Sequence, residues 1–224
     1  PIWLRGARLK DGLHCDGGAI LLPDDKLNVD ALNAEAATIE GGVSLRNGFS
    51  ANGTISLRGA RIRGAVTLHK ASLTSAKRFA LDAQNAVIEG EIVGDPQSKA
   101  GFSLAGVEIS HNLDLRGASL IGAPLKNAAH DIALDATNIR IGGGLFLQNA
   151  KLKGELLLAD ARVEGYCAFG GGRFIGAGGL AIRAPNMRIG GNLTFKSGEV
   201  DSDGPIAAKT VVDGFISGLH ESPD

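Results

Sequence analysis

Aromatic side chains are scarce in this sequence: they make up 4% of its 224 residues, with one Trp and one Tyr. The hydrophobic 44% must therefore fill the interior largely with Leu, Ile, Val and Ala. Together with 33 Gly residues, this composition favours a narrow interior around which the chain turns often. The scarcity of rings also leaves few surfaces on which a sugar could stack.

Neither sign of charge is in excess. Lys and Arg number 23, Asp and Glu number 24, and the formal net charge is -1. A nucleic-acid-binding protein usually has a basic excess and a DNA mimic an acidic one, and this chain has neither. We therefore expect no nucleic-acid partner.

Cysteine is rare, and long apolar runs are absent. Cys15 and Cys167 lie in apolar, strand-like contexts and are predicted to be small buried hydrophobes, about six coils apart and too distant for a disulfide. Two cysteines with no predicted disulfide between them fit a reducing compartment, which we predict to be the cytoplasm. No apolar run approaches the ~18 residues of a membrane-spanning helix. Membrane association is expected only through segments outside this chain, in a longer parent protein.

Two half-motifs alternate along the chain. One reads Ala-x-Ile/Leu/Val-x-Gly, as at 60–64 and 161–165, and the other reads Ala-Leu-Asn/Asp-Ala, at 31–34, 80–83 and 133–136. Each copy contains one apolar anchor, and the spacings between anchors are 30, 23, 26, 21, 32, 22 and 26 residues. The anchors are Leu9, Ile39, Ile62, Ile88, Ile109, Ile141, Val163 and Ile189.

Within each half-motif the apolar residues alternate with the period of a strand. Strands of about three residues are stable only when successive coils stack on one another. We predict an all-β, right-handed parallel β-helix of about eight coils over residues 1–205, with short coils of about 22 residues alternating with long coils of about 26–32. Residues 206–224 are predicted to form a final coil or cap with a disordered tail. A β-sandwich also has strands every 8–12 residues, but it does not require Ala-Leu-Asn/Asp-Ala copies 49 and 53 residues apart.

The segments Leu-Arg-Gly-Ala-Arg-Ile-Arg-Gly at 57–64 and Leu-Arg-Gly-Ala-Ser-Leu at 115–120 resemble pentapeptide-repeat-like proteins. This resemblance implies a right-handed, four-sided β-helix. The alternation of the two half-motifs is similar to a group of uncharacterised bacterial proteins that are often labelled membrane-associated oxidoreductases. The likeness covers roughly residues 3–198, and it supplies no catalytic residues.

The sequence predicts no catalytic, cofactor-binding or metal-binding residues, and hence a protein that is not an enzyme. The Gly-rich runs at 170–172 and 176–179 are not followed by the helix that a nicotinamide site requires. Asp24 with Asp25, and Asp201 with Asp203, are paired acids in loop-like segments. The histidines are dispersed rather than clustered as a metal site needs. They are His14, His69, His111, His130 and His220, of which His14 and His69 are predicted to face outward.

Two features indicate where a binding surface could lie. Arg5 and Arg58 share one phase of the repeat, and Arg46 and Arg116 share another, which fits either a stripe for an acidic partner or a solvated face. Extra residues recur just before the Ala-Leu-Asn/Asp-Ala half, at 16–30, 74–79, 121–132 and 170–180. Insertions at one phase of a stacked solenoid emerge at one corner. We therefore predict a ridge of aligned loops on alternate coils, and loops often carry function.

The function that follows is a non-enzymatic structural or protein-interaction solenoid with a protein as its partner. End-to-end self-association is also expected, because a solenoid exposes strand edges at its ends. Two alternatives stay open. One is a carbohydrate-binding or carbohydrate-active β-helix, and the other is a DNA-mimicking inhibitor of a nucleic-acid enzyme.

Overall fold

The computed structural model describes residues 1–26, 28–123, 131–176 and 180–195, and the backbone of three further strands, Glu199–Asp201, Val211–Val212 and Ile216–Ser217. The chain is a parallel β-solenoid, as predicted. The 3-10 turn Asp24–Lys26 is the one helical element of the described part. The predicted cap at 206–224 lies mostly outside the described residues, although two of the further strands fall within it.

Each coil passes through four sheets in the order A, B, C, D, and all strand pairs are parallel. Sheets A and D contain eight strands each, and sheets B and C contain nine. Sheet A consists of Ile2–Trp3, Asp30–Asn33, Thr54–Ser56, Phe79–Asp82, Gly101–Ser103, Ile132–Asp135, Glu155–Leu157 and Ile182–Arg183. Sheet B consists of Arg8–Leu9, Thr38–Ile39, Arg61–Ile62, Val87–Ile88, Glu108–Ile109, Arg140–Ile141, Arg162–Val163, Arg188–Ile189 and Val211–Val212.

The other two sheets complete the four sides. Sheet C consists of Leu13–His14, Val43–Ser44, Val66–Thr67, Ile92–Val93, Leu113–Asp114, Leu145–Phe146, Cys167–Ala168, Leu193–Thr194 and Ile216–Ser217. Sheet D consists of Ala19–Ile20, Ser50–Ala51, Ser72–Leu73, Gln97–Ser98, Ser119–Ile121, Lys151–Lys153, Arg173–Ile175 and Glu199–Asp201.

The eight apolar anchors form a single ladder in sheet B. Each anchor is the direct Cα partner of the next, from Leu9 opposite Ile39 to Val163 opposite Ile189. All of them except Leu9, which belongs to the first coil, are buried. The sequence spacing therefore predicted the register of this sheet correctly.

The corners between sheets A and B are four-residue turns, and the Asn or Asp of the second half-motif stabilises them. In one such turn the Ala60 N–H donates to the Leu57 carbonyl oxygen at 3.0 Å. Gly59, the third residue of that turn, has a φ of 60°, the left-handed conformation of a type II turn. In the equivalent turn of three other coils, the second, fourth and sixth, an Asx side chain also accepts the N–H of the second turn residue. These bonds are Glu35 to Asn33 at 3.1 Å, Gln84 to Asp82 at 3.2 Å and Thr137 to Asp135 at 3.1 Å.

The first Ala of the Ala-Leu-Asn/Asp-Ala motif has a separate role. Sheet A shifts register between Asp30 and Leu32, and the same irregularity recurs before Leu81 and before Leu134. The residue at each shift is a fully buried Ala, namely Ala31, Ala80 and Ala133. A small side chain fits there because the strand re-enters the solenoid from a longer connection at that point.

The corner between sheets B and C is sharp, and successive coils approach each other closely there. A Cβ atom added to Gly90 would lie 2.6 Å from the backbone carbonyl carbon and oxygen of Gly64 in the preceding coil. This contact explains why Gly recurs after the anchors, as the repeat had indicated.

Candidate interaction surface

The four long connections all leave the solenoid at one corner. They join sheet D to sheet A and comprise residues 21–29, 74–78, 122–131 and 176–181. The intervening D-to-A connections are only residues 52–53, 99–100 and 154. The predicted ridge on alternate coils is therefore confirmed in its position. We call these four connections the ridge; residues 27, 124–130 and 177–179 within it lie outside the described residues.

Two of the predicted ridge segments were too wide. The segment 16–30 includes the strand Ala19–Ile20, and the segment 170–180 includes the strand Arg173–Ile175, both in sheet D. Each strand continues the ladder of its neighbours, so the extra residues start only after it. Sequence spacing locates the coil that contains an insertion, but not the residue where pairing ends.

A polar pocket of about 190 Å³ lies beside the ridge on the outer face of sheet A. Lys77, from the ridge, places its Nζ atom 2.8 Å from Asp30 Oδ1, and Arg58 Nη1 lies 3.1 Å from Asp82 Oδ2. The Thr54 hydroxyl donates to the Phe79 carbonyl oxygen at 2.8 Å and fixes the end of the second ridge connection. The charged groups in these ion pairs neutralise one another. The pair of Lys77 with Asp30 also holds the second ridge connection against the scaffold.

The histidines of the described part are separate from one another and exposed, as predicted for His14 and His69. His69 Nδ1 lies 3.3 Å from Asp95 Oδ1, and His111 Nδ1 lies 3.1 Å from the Glu89 carbonyl oxygen. His130 and His220 lie outside the described residues. No group of three or more His, Cys, Asp or Glu side chains with metal-binding geometry occurs in the part of the chain that the structure describes.

Of the two pairs of acids, the structure describes the side chains of one, Asp24 and Asp25. Asp24 and Asp25 are exposed on the 3-10 turn of the first ridge connection, which agrees with the loop interpretation. The backbone of Asp201 belongs to the last strand of sheet D, and Asp203 lies outside the described residues.

Both cysteines are free thiols. Cys167 is buried in sheet C, and burial raises its pKa to about 12. Cys15 is only partly buried, because its coil is the first and is covered on one side. Its pKa is also raised, first by burial and second by the charge of Asp16. The prediction of a buried cysteine is thus correct for Cys167 and only partly correct for Cys15.

The two arginine phases noted in the sequence are corner positions whose members have acidic partners. Arg58 pairs with Asp82 as described above, and Arg46 Nε lies 2.8 Å from Asp16 Oδ2. Arg116 Nη2 is 2.5 Å from Asp114 Oδ2. Carboxylates therefore pair with these arginines, and the two phases form a solvated, ion-paired surface.

A different set of arginines is stacked without such partners. Arg140, Arg162 and Arg188 occupy the residue before the anchor on three successive coils of sheet B, and each is the direct Cα partner of the next. All three are exposed, and none forms an ion pair with a described residue. We call them the arginine ladder. The ladder was not predicted from the sequence, because it occupies the residue before each anchor, whereas the prediction rested on the residue after it.

A shallow groove of about 310 Å³ lies beside Arg140 and Arg162 of the arginine ladder. Ile109 and Ile141 contribute to its lining, and so do Ser110 and Gly142. These two small residues occupy the position after the anchor, where larger side chains such as Arg63 and Glu89 stand in other coils. The groove exists because this position is small in two neighbouring coils.

A pair of aromatic rings, one exposed and one half-buried, lies at the adjoining corner. The rings of Tyr166 and Phe146 meet edge to face with centroids 5.1 Å apart, and Tyr166 is 52% exposed. The guanidinium of Arg116 lies over the Phe146 ring at 5.7 Å from its centroid. Exposed Tyr and Arg are the residues most often found at the energetic centres of protein interfaces.

In the described part of the chain, no helix has the length and apolar character needed to cross a membrane. No protein-family model matches the sequence, and no curated protein matches it either. The fold agrees with the predicted repeat β-helix. Membership of the pentapeptide-repeat-like group, and the oxidoreductase label, remain predictions from the resemblance alone.

Proposed function

We propose that this solenoid is a non-enzymatic, cytoplasmic protein-interaction scaffold that presents its ridge to a partner protein. The observation that carries the proposal is the position of the four long connections, which all leave the corner between sheets D and A on alternate coils. A fold needs no such alignment for its own stability, since the short D-to-A connections of 1–2 residues close the same corner.

The scaffold supports this role because its coils repeat regularly, while the four ridge connections differ in length. The anchors are stacked in register and all but Leu9 are buried, whereas ridge connections can change length at little entropic cost. Alternate coils are ~9.6 Å apart, so four ridge connections extend over ~29 Å. This distance is close to the width of a standard protein interface, which buries ~800 Å² on each partner.

The ion pairs argue against the DNA-mimic alternative. Such a mimic needs an acidic face, but Asp16, Asp82 and Asp114 each contact an arginine. Asp30 likewise contacts Lys77.

The test compares a ridge variant with a matched corner variant. In the ridge variant, residues 74–78 are replaced by Asn-Gly, the connection found at 52–53, and residues 122–131 by Lys-Ala, the connection found at 99–100. The control variant is Lys70→Asn with Gly117→Asn, at the corner between sheets C and D. Both of these positions have positive φ (56° and 72°), which Asn tolerates. Circular dichroism and thermal unfolding establish that both variants remain folded.

Partners are then captured by in-cell cross-linking and quantified by mass spectrometry. We expect the ridge variant to lose its specifically cross-linked partner by about ten-fold or more, and the control to retain it. An identical partner yield from the ridge variant and the parent chain would refute the ridge as the interaction surface.

A further inference from the structure

The arginine ladder concentrates positive charge on one half of sheet B. Arg140, Arg162 and Arg188 stand on consecutive coils, ~4.8 Å apart along the solenoid axis. Like charges directly opposite each other on neighbouring strands repel. An anionic ligand would relieve this repulsion.

The other half of the same sheet shows how the fold neutralises its arginines. Arg8 and Arg63 both contact Glu40, at 2.7 and 2.6 Å, and Arg61 lies 3.4 Å from Glu89. The arginine ladder forms no equivalent pairs with the described residues. Within the described residues, no carboxylate therefore forms an ion pair with these three guanidinium groups, although Glu108 is the direct Cα partner of Arg140.

The groove provides space for that anion beside the guanidinium groups. Its lining combines Arg140 and Arg162 with apolar Ile109 and Ile141, and it is open to solvent along the ladder. The exposed Tyr166 follows Glu164 and Gly165 at the corner of the same coil. A ligand in the groove would thus meet cationic side chains together with small and apolar lining, and Tyr166 lies beyond that lining.

We propose that the arginine ladder binds an acidic, extended segment of a partner protein that lies along the solenoid axis. The guanidinium group binds a carboxylate through two parallel hydrogen bonds. Alternate side chains of an extended segment are ~6.8 Å apart. The flexible arginine side chains can bridge the difference between this spacing and the ~4.8 Å between rungs, so one segment with three alternate carboxylates can engage all three arginines.

The lining of the groove favours a peptide over a nucleic acid. Glu108 and Glu164 also line it, and an unbroken row of phosphates would meet both carboxylates. A peptide avoids this conflict, because neutral side chains can stand between its acidic ones.

This inference rests on the proposed role as an interaction scaffold, but it concerns a different face from the ridge. It is tested by fluorescence anisotropy with a labelled peptide, Gly-Glu-Ser-Glu-Ser-Glu-Gly, at low ionic strength. A peptide with Gln in place of each Glu is the first control probe, and a thymidine oligonucleotide of similar length is the second.

Two triple variants are compared with the parent chain. The ladder variant combines Arg140→Ser, Arg162→Ser and Arg188→Ser, and the control variant combines Arg8→Ser, Arg61→Ser and Arg63→Ser on the same sheet. All six arginines are exposed, so folding should survive and is checked by circular dichroism. We expect the affinity for the Glu peptide to fall by about ten-fold or more in the ladder variant and by less than about two-fold in the control.

The expected binding is also weakened by added salt and is unchanged in the ridge variant. Failure of the parent chain to bind the Glu peptide, or equal binding of the Gln peptide, would overturn the proposal. Tighter binding of the oligonucleotide would overturn the assignment to a protein segment. Neither result would affect the ridge experiment, which has its own variant and readout.

Discussion

Arg46 holds Asp16 across the boundary between the first two coils, with 2.8 Å between Arg46 Nε and Asp16 Oδ2. The same carboxylate accepts a hydrogen bond from the Ser44 hydroxyl. The bond from Ser44 and then the bond from Arg46 lower the pKa of Asp16 below its ordinary value. This one carboxylate therefore ties the first coil to the second.

The lowered pKa predicts a pH-dependent contribution to stability. A carboxyl group whose pKa is lower in the folded state stabilises the fold above its unfolded pKa, and this stabilisation disappears as the pH falls through the folded value. We expect Asp16→Asn to destabilise the protein at pH 7 and to have a smaller effect near pH 2. Urea unfolding of both proteins at the two pH values measures the difference. Asp11→Asn, an exposed acid of the same coil, is the control, and an equal effect of Asp16→Asn at both pH values would contradict the prediction.

Substitutions at two glycines in different corners should change the free energy of unfolding by very different amounts. Gly90→Ala places a Cβ 2.6 Å from the Gly64 backbone, so the coils must separate, and we expect a loss of about 2–4 kcal/mol in the free energy of unfolding. Gly59 has open space around it and a φ of 60°, while Asn85 and Asn138 occupy the equivalent turn position with φ of 56° and 55°. Gly59→Asn should therefore change stability by less than about 1 kcal/mol. Chemical denaturation measures the free energy of unfolding of the two variants. Similar losses of this free energy in both would contradict the explanation given for the corners.

The two thiols should differ in reactivity. Cys167 is buried and its pKa is raised to about 12, so it should react with a thiol reagent only when the solenoid opens. Cys15 is partly exposed and should react first, although its raised pKa makes it slower than a free thiol. We expect one equivalent to be modified in native protein at pH 8 and a second in denaturant. The Cys15→Ser variant identifies the sites, since it should lose the native-state reaction; rapid reaction of that variant would show that Cys167 is accessible.

The first coil should promote end-to-end self-association. Its four strands each lie at the end of a sheet, and Leu4, Leu9, Leu13 and Ile20 are only partly buried against the core. An unpaired, apolar strand edge invites pairing with another chain. We expect the mass measured by static light scattering to rise with protein concentration, and Leu13→Lys, which places a charge at that edge, to suppress the rise. A monomer at every concentration would remove this mode of association.

The sequence predicted the fold well because one residue per coil is under a single strong constraint. Ile39, Ile62 and Ile88 must point inward and stack on one another, so their spacing reports both the strand period and the inter-coil register. The ridge was predictable for the same reason, since any extra residue shifts the next anchor. The register shift at Ala80 was not predictable, because a small buried residue satisfies the same apolar pattern with or without a bulge.

Surface chemistry was harder to predict, since it depends on which outward residues are neighbours across coils. Arg58 and Arg140 look alike in sequence, but Arg58 contacts a carboxylate and Arg140 has no ion-pair partner among the described residues. The register alone does not distinguish them, since Glu108 is the direct Cα partner of Arg140 and forms no ion pair with it. Comparing the residue before each anchor across coils would have revealed the arginine ladder, because Arg140, Arg162 and Arg188 share that phase.

The presence of a long connection on every second coil makes a pair of coils the smallest complete module of this protein. The module repeats after the 49 residues from Ala31 to Phe79 and contains one bulged strand and one ridge connection. Duplication of such a module would lengthen the rod by ~9.6 Å and add one ridge connection. Each new coil would pack on the same types of coil that the protein already contains. The length of the rod and the number of its ridge connections are thus coupled in this architecture. A longer rod offers more contacts at a fixed spacing, so a partner whose binding sites have the same spacing binds in a way that depends on the length of the rod.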